Sequence, residues 1–97
     1  MTLILKSPQY DEDIEQIWSY IYLASPNGAD VVVEGIEETI ALLADFPKMG
    51  TPCPHLALNL RRCSWREFLI YYRYLEDNVE IVRVLHGRRN VEPEKFE

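Results

Sequence analysis

The chain predicts an α+β domain in which a two-helix hairpin packs on one side of an antiparallel sheet, in the order β-α-α-β-β-β. Three observations carry that expectation. Apolar residues recur at helical spacing from Tyr10 to Leu43; runs dense in β-branched and aromatic residues follow; and serine–proline pairs, prolines and glycines fall at the seams between them. Ninety-seven residues, 47% of them hydrophobic and 11% aromatic, make one domain over 1–97 with one core.

The elements follow in order. Residues 2–5, TLIL, read as a short first strand. Ser7-Pro8 is a helix N-cap followed by proline at the first helical position, where its missing N–H costs nothing. Tyr10, Ile14, Ile17, Trp18 and Ile21 then share a helical face, and Asp11, Glu12, Asp13 and Glu15 crowd the first turns, where the helix dipole favours anions. This helix runs to about Leu23. Ser25-Pro26 repeats the cap, and Val32 or Val33, Ile36, Ile40 and Leu43 form the stripe of a second helix that Phe46-Pro47 ends. The short connection makes the two antiparallel.

Pro47, Gly50, Pro52 and Pro54 punctuate a loop, after which residues 58–63, LNLRRC, alternate like a strand. Ser64-Trp65-Arg66 turns that strand into a long hairpin of residues 68–75 and 79–85, with Glu76-Asp77-Asn78 at its own turn. The near-continuous apolar character of both hairpin runs predicts central strands covered on both faces. Arg73 and Arg83 are expected to pair across the sheet with Glu80, Glu76 or Glu67. Gly87 then releases a basic tip of His86, Arg88, Arg89 and Asn90, and the charged, proline-interrupted residues 91–97 read as a flexible tail.

Charge and cysteine usage narrow the function. The net charge of −6 opposes nucleic-acid binding by the whole surface, so no direct specific nucleic-acid contact is expected. Residues 1–50 hold two lysines against nine acids, a charge of −7, whereas residues 51–97 hold seven arginines and Lys95 against seven acids, a charge of +1. An acidic helical layer beside an arginine-bearing sheet follows, and the sheet is free to meet an acidic partner. No apolar run approaches the length of a membrane helix or a signal-peptide core, which predicts a cytoplasmic protein without membrane contact. Cys53 and Cys63 read as free thiols in a reducing compartment. With His55 and His86 they match no compact zinc spacing, and no phosphate loop or other cofactor motif is present, so neither metal nor cofactor is expected.

The element order resembles the RelE/ParE superfamily of bacterial toxins, and its ParE branch most closely. The resemblance extends over nearly the whole chain. It rests on Ser25-Pro26, on residues 46–50 (FPKMG), on Leu60-Arg61, on residues 68–73 (FLIYYR) and above all on residues 79–90 (VEIVRVLHGRRN), the most specific stretch. It implies the toxin of a type II toxin–antitoxin system that inhibits DNA gyrase without catalytic chemistry of its own and is held inactive by a ParD-like antitoxin. The RelE branch instead cleaves messenger RNA on the ribosome, which demands a base for the 2′-hydroxyl, an acid for the leaving oxygen and positive charge at the phosphate. Arg61, Arg66, Arg83, Arg88 and Arg89 would supply the charge, but the tail lacks a tyrosine and only His86 titrates near neutrality. A ribosome-dependent endonuclease is therefore the alternative reading, and a non-toxic antitoxin-binding module is a third, kept open by the acidic total.

No family motif fixes the target-contacting residues, so the candidates come from surface chemistry. Arg61, Trp65, Arg66, His86, Arg88, Arg89 and Asn90 are the candidate target contacts, since arginine and tryptophan are enriched among binding hot spots. Core packing competes for Trp65, and a solvated strand end for Arg88-Arg89-Asn90. Trp18, Ile21, Tyr22, Ile36 and Ile40 are the candidate antitoxin contacts, on apolar helical faces that would line a groove for an extended or helical segment.

Overall fold

In the computed structural model, which describes residues 2–87 and 92–96 (backbone alone at 94 and 95), the chain runs β1 (Leu3–Lys6), α1 (Pro8–Ala24), α2 (Pro26–Leu42), β2 (Thr51–Pro52), β3 (Leu60–Trp65), β4 (Phe68–Leu75), β5 (Asn78–His86) and a 3-10 turn (Pro93–Phe96). The α+β class and both helices form as the sequence predicts. The sheet differs in two respects: it has five strands, in the order β1-β5-β4-β3-β2, and it is mixed, because β1 lies parallel to β5. β2 escaped the sequence reading because two residues, Thr51 and Pro52, pair with Arg62 and Arg61 inside a proline-rich loop.

Local chemistry sets the helix ends. The Ser7 hydroxyl accepts from the Tyr10 N–H at 3.0 Å and donates to the Val82 carbonyl at 2.8 Å, so the cap of α1 is also a tie to β5. Ser25 serves both helices at once. Its N–H donates to the Ile21 carbonyl at 2.8 Å, ending α1, while its side chain accepts from the Gly28 N–H at 3.0 Å, starting α2. The single shared residue makes the hairpin corner abrupt.

The helices cover one face of the sheet, where Tyr10, Ile36, Ile40, Leu43, Ile70, Tyr72, Ile81 and Val84 are buried together. On this face Gly35 allows α2 to lie directly on Trp65, since a Cβ there would sit 2.0 Å from the indole ring. The opposite face carries a second, smaller cluster of Cys53, Leu60, Tyr71, Val82, Leu85 and Phe96. Both hairpin strands are thus covered on both sides, as their apolar runs predict. The expected flexible tail is corrected at residues 93–96: Phe96 is only 2% exposed, because its ring packs 4.7 Å from that of Tyr71.

A register shift joins the two faces. Tyr71 pairs with Arg83 and Tyr72 with Ile81, which leaves Val82 as the extra residue of a β-bulge. The Asp13 carboxylate, 4% exposed, sits over this break and accepts from the Val84 N–H at 3.1 Å and from Arg83 Nε and Nη2 at 2.8 and 2.7 Å. Arg83 therefore pairs with α1 and not with a glutamate of the sheet, which corrects the expectation. The contact with Asp13 holds the Arg83 guanidinium above its ordinary pKa, outweighing the opposing effect of burial. Arg73 does meet Glu80, at 3.6 Å, as expected.

Candidate functional site

α1 is locked to the sheet at its first half and open at its second. Past the Asp13 anchor, Ile17, Tyr20 and Ile21 of α1 face Phe68, Val84 and His86 across a cleft of about 680 Å³, with Gln16 and Glu67 at its rim. β1 ends at Lys6, opposite Ile81, so it does not reach this part of β5. The result is an apolar-walled opening between a helix and the end of the sheet. Tyr20 is 80% and Leu23 is 88% exposed, an unusual display for large apolar side chains on consecutive turns.

Along the outer side of α1, Trp18 stacks on Tyr22 with ring centres 4.6 Å apart, and its Nε1 donates to Asp30 of α2 at 3.1 Å. Trp18 and Tyr22 are thus accessible and pre-oriented, and Ile21 lines the cleft itself. Ile36 and Ile40 are different. They are 0% and 2% exposed in the helical-side core, so as antitoxin contacts they are corrected to core residues with no surface to offer. Ile17 and Tyr20 line the opening, and Leu23 is exposed one turn beyond Tyr20. Their signal was present in the sequence, since Tyr20 and Leu23 are apolar yet stand off the Tyr10–Ile14–Ile17–Ile21 stripe that the core requires.

The target-contact candidates also separate. Arg61 Nη1 donates to the Lys48 and Gly50 carbonyls at 3.2 and 2.8 Å, bracing the loop before β2. Trp65 is half-buried against α2, and the Arg66 guanidinium lies 4.4 Å from its ring centre. Arg66 carries the turn between β3 and β4 at a φ of 52°, a left-handed conformation that side chains larger than glycine seldom adopt. A fixed, exposed cation results. His86 meets Phe68 edge-on, with ring centres 5.6 Å apart, and so belongs to the cleft wall at the same end of the sheet as Arg66. Arg88, Arg89 and Asn90 lie outside the described residues.

Other titratable side chains serve the scaffold. The Tyr10 hydroxyl donates to Glu37 at 2.9 Å, and burial together with that carboxylate raises its pKa. Burial pushes the Cys63 thiol up to about 11. Cys63 packs against the helical-side cluster while Cys53 sits in the cluster across the sheet, and both are free thiols. Among the described residues no helix is long and apolar enough to cross a membrane.

These features define the class of protein: a small α+β domain whose helical hairpin closes one face of a mixed sheet but leaves an apolar cleft along α1. The sequence profile of the family described as "ParE toxin of type II toxin-antitoxin system, parDE" matches residues 4–91. The chain is 35% identical over 80 residues to Toxin ParE1 of Caulobacter vibrioides, spanning 80% of this chain and 81% of that protein. It is 28% identical over 90 residues to Toxin ParE1 of Mycobacterium tuberculosis, spanning 91% and 92%. In three dimensions it is similar to a chain of the solved "Chromosomal ParDE TA system from P. aeruginosa", with a TM-score of 0.77 at 18% identity, over 89% of this chain and 96% of that one. The protein belongs to the ParE toxin family of type II toxin–antitoxin systems.

Proposed function

We propose that the protein is a toxin that acts by binding, inhibiting DNA gyrase and hence replication in the cytoplasm, and that a ParD-like antitoxin neutralises it by seating an apolar segment along the α1 cleft. The observation that carries the antitoxin part is the opening between α1 and β5, lined by the exposed Tyr20 and an apolar wall, with Leu23 exposed one turn further along α1. Amphipathic or extended segments bind such grooves through anchors at regular spacing, and burying these two side chains supplies the driving force. Action by binding, with no catalytic residue, is supported by the employment of the arginines. Arg61, Arg73 and Arg83 are committed to carbonyl or carboxylate contacts within the fold, and Arg66 to a stack on Trp65. The Arg66 and His86 end of the sheet is the surface we assign to the gyrase contact.

The test uses purified protein with its co-encoded antitoxin and with gyrase. Tyr20→Glu and Leu23→Glu each weaken antitoxin binding at least tenfold, about 1.4 kcal/mol, and leave inhibition of supercoiling intact. Arg66→Ala does the reverse. Cleavage of messenger RNA in the presence of ribosomes, with supercoiling untouched, would replace the gyrase reading with an endonuclease. Harmless overexpression with intact antitoxin binding would leave only the binding module.

A further inference from the structure

The face of the sheet away from the helices holds a site already occupied by the chain itself. Phe96 is buried among Cys53, Leu60, Tyr71, Val82 and Leu85, although it belongs to a turn of only four residues. What ties that turn to the sheet is one ring and one carbonyl: Phe96 against Tyr71 at 4.7 Å, and the Phe96 carbonyl accepting from Arg73 Nη2 at 2.7 Å. Glu92 and Pro93 are exposed. In this cluster the accounting is incomplete, because among the described residues the buried Tyr71 hydroxyl has no hydrogen-bond partner. A phenylalanine fills such a slot with carbon and can give that hydroxyl nothing.

Charge points to the same class of ligand. Arg62 pairs with Tyr71, and Arg73 with Leu60, in the β3–β4 register, so both arginines share the face of the slot. The described segment that ends in the slot, residues 92–96, reads EPEKF, with two glutamates and one lysine. An acidic stretch carrying an aromatic anchor is thus the chemistry this face already holds.

We propose that the slot under Phe96 is a binding site for an acidic protein segment anchored by a tyrosine, and that the Pro93–Phe96 turn is its intramolecular occupant, displaced when that partner arrives. A tyrosine ring takes the place of Phe96, and its hydroxyl supplies the partner that Tyr71 lacks. The carbonyl that follows it takes the Arg73 contact. This site lies across the sheet from the α1 cleft and does not depend on what the cleft binds.

The probes are acetylated peptides of sequence EPEKYE, EPEKFE and EPEKAE, titrated into the full-length Phe96→Ala chain while the Val82 and Leu85 methyl resonances are followed. The tyrosine and phenylalanine peptides shift these signals saturably and the alanine peptide does not. The tyrosine peptide binds at least threefold more tightly than the phenylalanine one, and adding Tyr71→Phe removes that advantage. In the wild-type chain, where Phe96 competes, binding is at least tenfold weaker. A folded Phe96→Ala chain that shows no saturable shift, or wild-type and variant chains that bind equally, overturns the proposal. If Phe96→Ala does not fold, Phe96→Leu, which keeps an apolar plug but loses the ring contact with Tyr71 and leaves Arg73 in place, is read by the same criteria.

Discussion

Tyr71 and Tyr72 are adjacent, both 0% exposed, and face opposite layers of the molecule. Tyr72 lies under the helices, where its hydroxyl donates to the Pro47 carbonyl at 2.8 Å and accepts from the Gly50 N–H at 2.9 Å. Tyr71 packs against Phe96, and among the described residues its hydroxyl has no hydrogen-bond partner. One residue type, moved by one position along a strand, is fully satisfied on one face and orphaned on the other. The helical face is closed by long elements and a loop whose backbone groups are fixed in place, so polar atoms find partners there. The far face is closed by a proline-rich loop and a single short turn, which cover area without completing hydrogen bonds. A face closed in this way is the one a partner can reopen.

The largest effect should come from breaking the device that keeps the faces distinct. Asp13→Ala removes the carboxylate that holds Arg83 and the Val84 N–H at the bulge, and leaves a guanidinium 13% exposed without its partner. A loss of about 3–5 kcal/mol is expected from urea denaturation, since an abandoned buried charge is the costly outcome. Gly35→Ala comes next. Its Cβ would lie 2.0 Å from the Trp65 ring, and α2 must lift or the indole must turn, at about 2–3 kcal/mol, with a change in tryptophan fluorescence as the independent check.

The tyrosine pair supplies the matched test. Tyr72→Phe abandons the Gly50 N–H inside the fold and costs about 1–2 kcal/mol, whereas Tyr71→Phe leaves thermal stability unchanged or slightly higher. Equal losses at the two positions would mean that the faces do not differ as described. The last effect is alkaline and leaves stability at neutral pH untouched. Cys63 keeps its proton in the folded chain to about 11, against 9.0 ordinarily, so the unfolded state releases it first. Stability is therefore full below about pH 9 and declines as pH rises toward 11, and Cys63→Ala flattens that part of the profile. Burial raises the pKa of Tyr72 as well, so the decline continues in the same direction at higher pH.

Much of the site was legible only in part, for reasons particular residues make plain. Ile36 and Ile40 sit on the α2 stripe, and a stripe says that a face is covered without saying by what. The sheet covers them, and the large apolar side chains left exposed on α1 include Tyr20 and Leu23, which the stripe does not need. Asp13 stands in a run with Asp11, Glu12 and Glu15 and shares its composition with them, yet it alone points at the sheet. Phe96 was hidden by its acidic, proline-containing surroundings, because a single aromatic anchor leaves no periodic trace.

The sequence by itself determined the helices, their Ser7 and Ser25 caps, the hairpin of β4 and β5 and the covering of both its faces, because these depend on residues near one another and on local periodicity. The tertiary structure alone decided that β1 lies parallel to β5, that Arg83 turns to Asp13 seventy residues away, and that Phe96 closes the far face. Each of these joins segments distant in the chain. Such contacts are selected by the area they bury and the hydrogen bonds they complete in three dimensions, and neither quantity exists until the chain has folded.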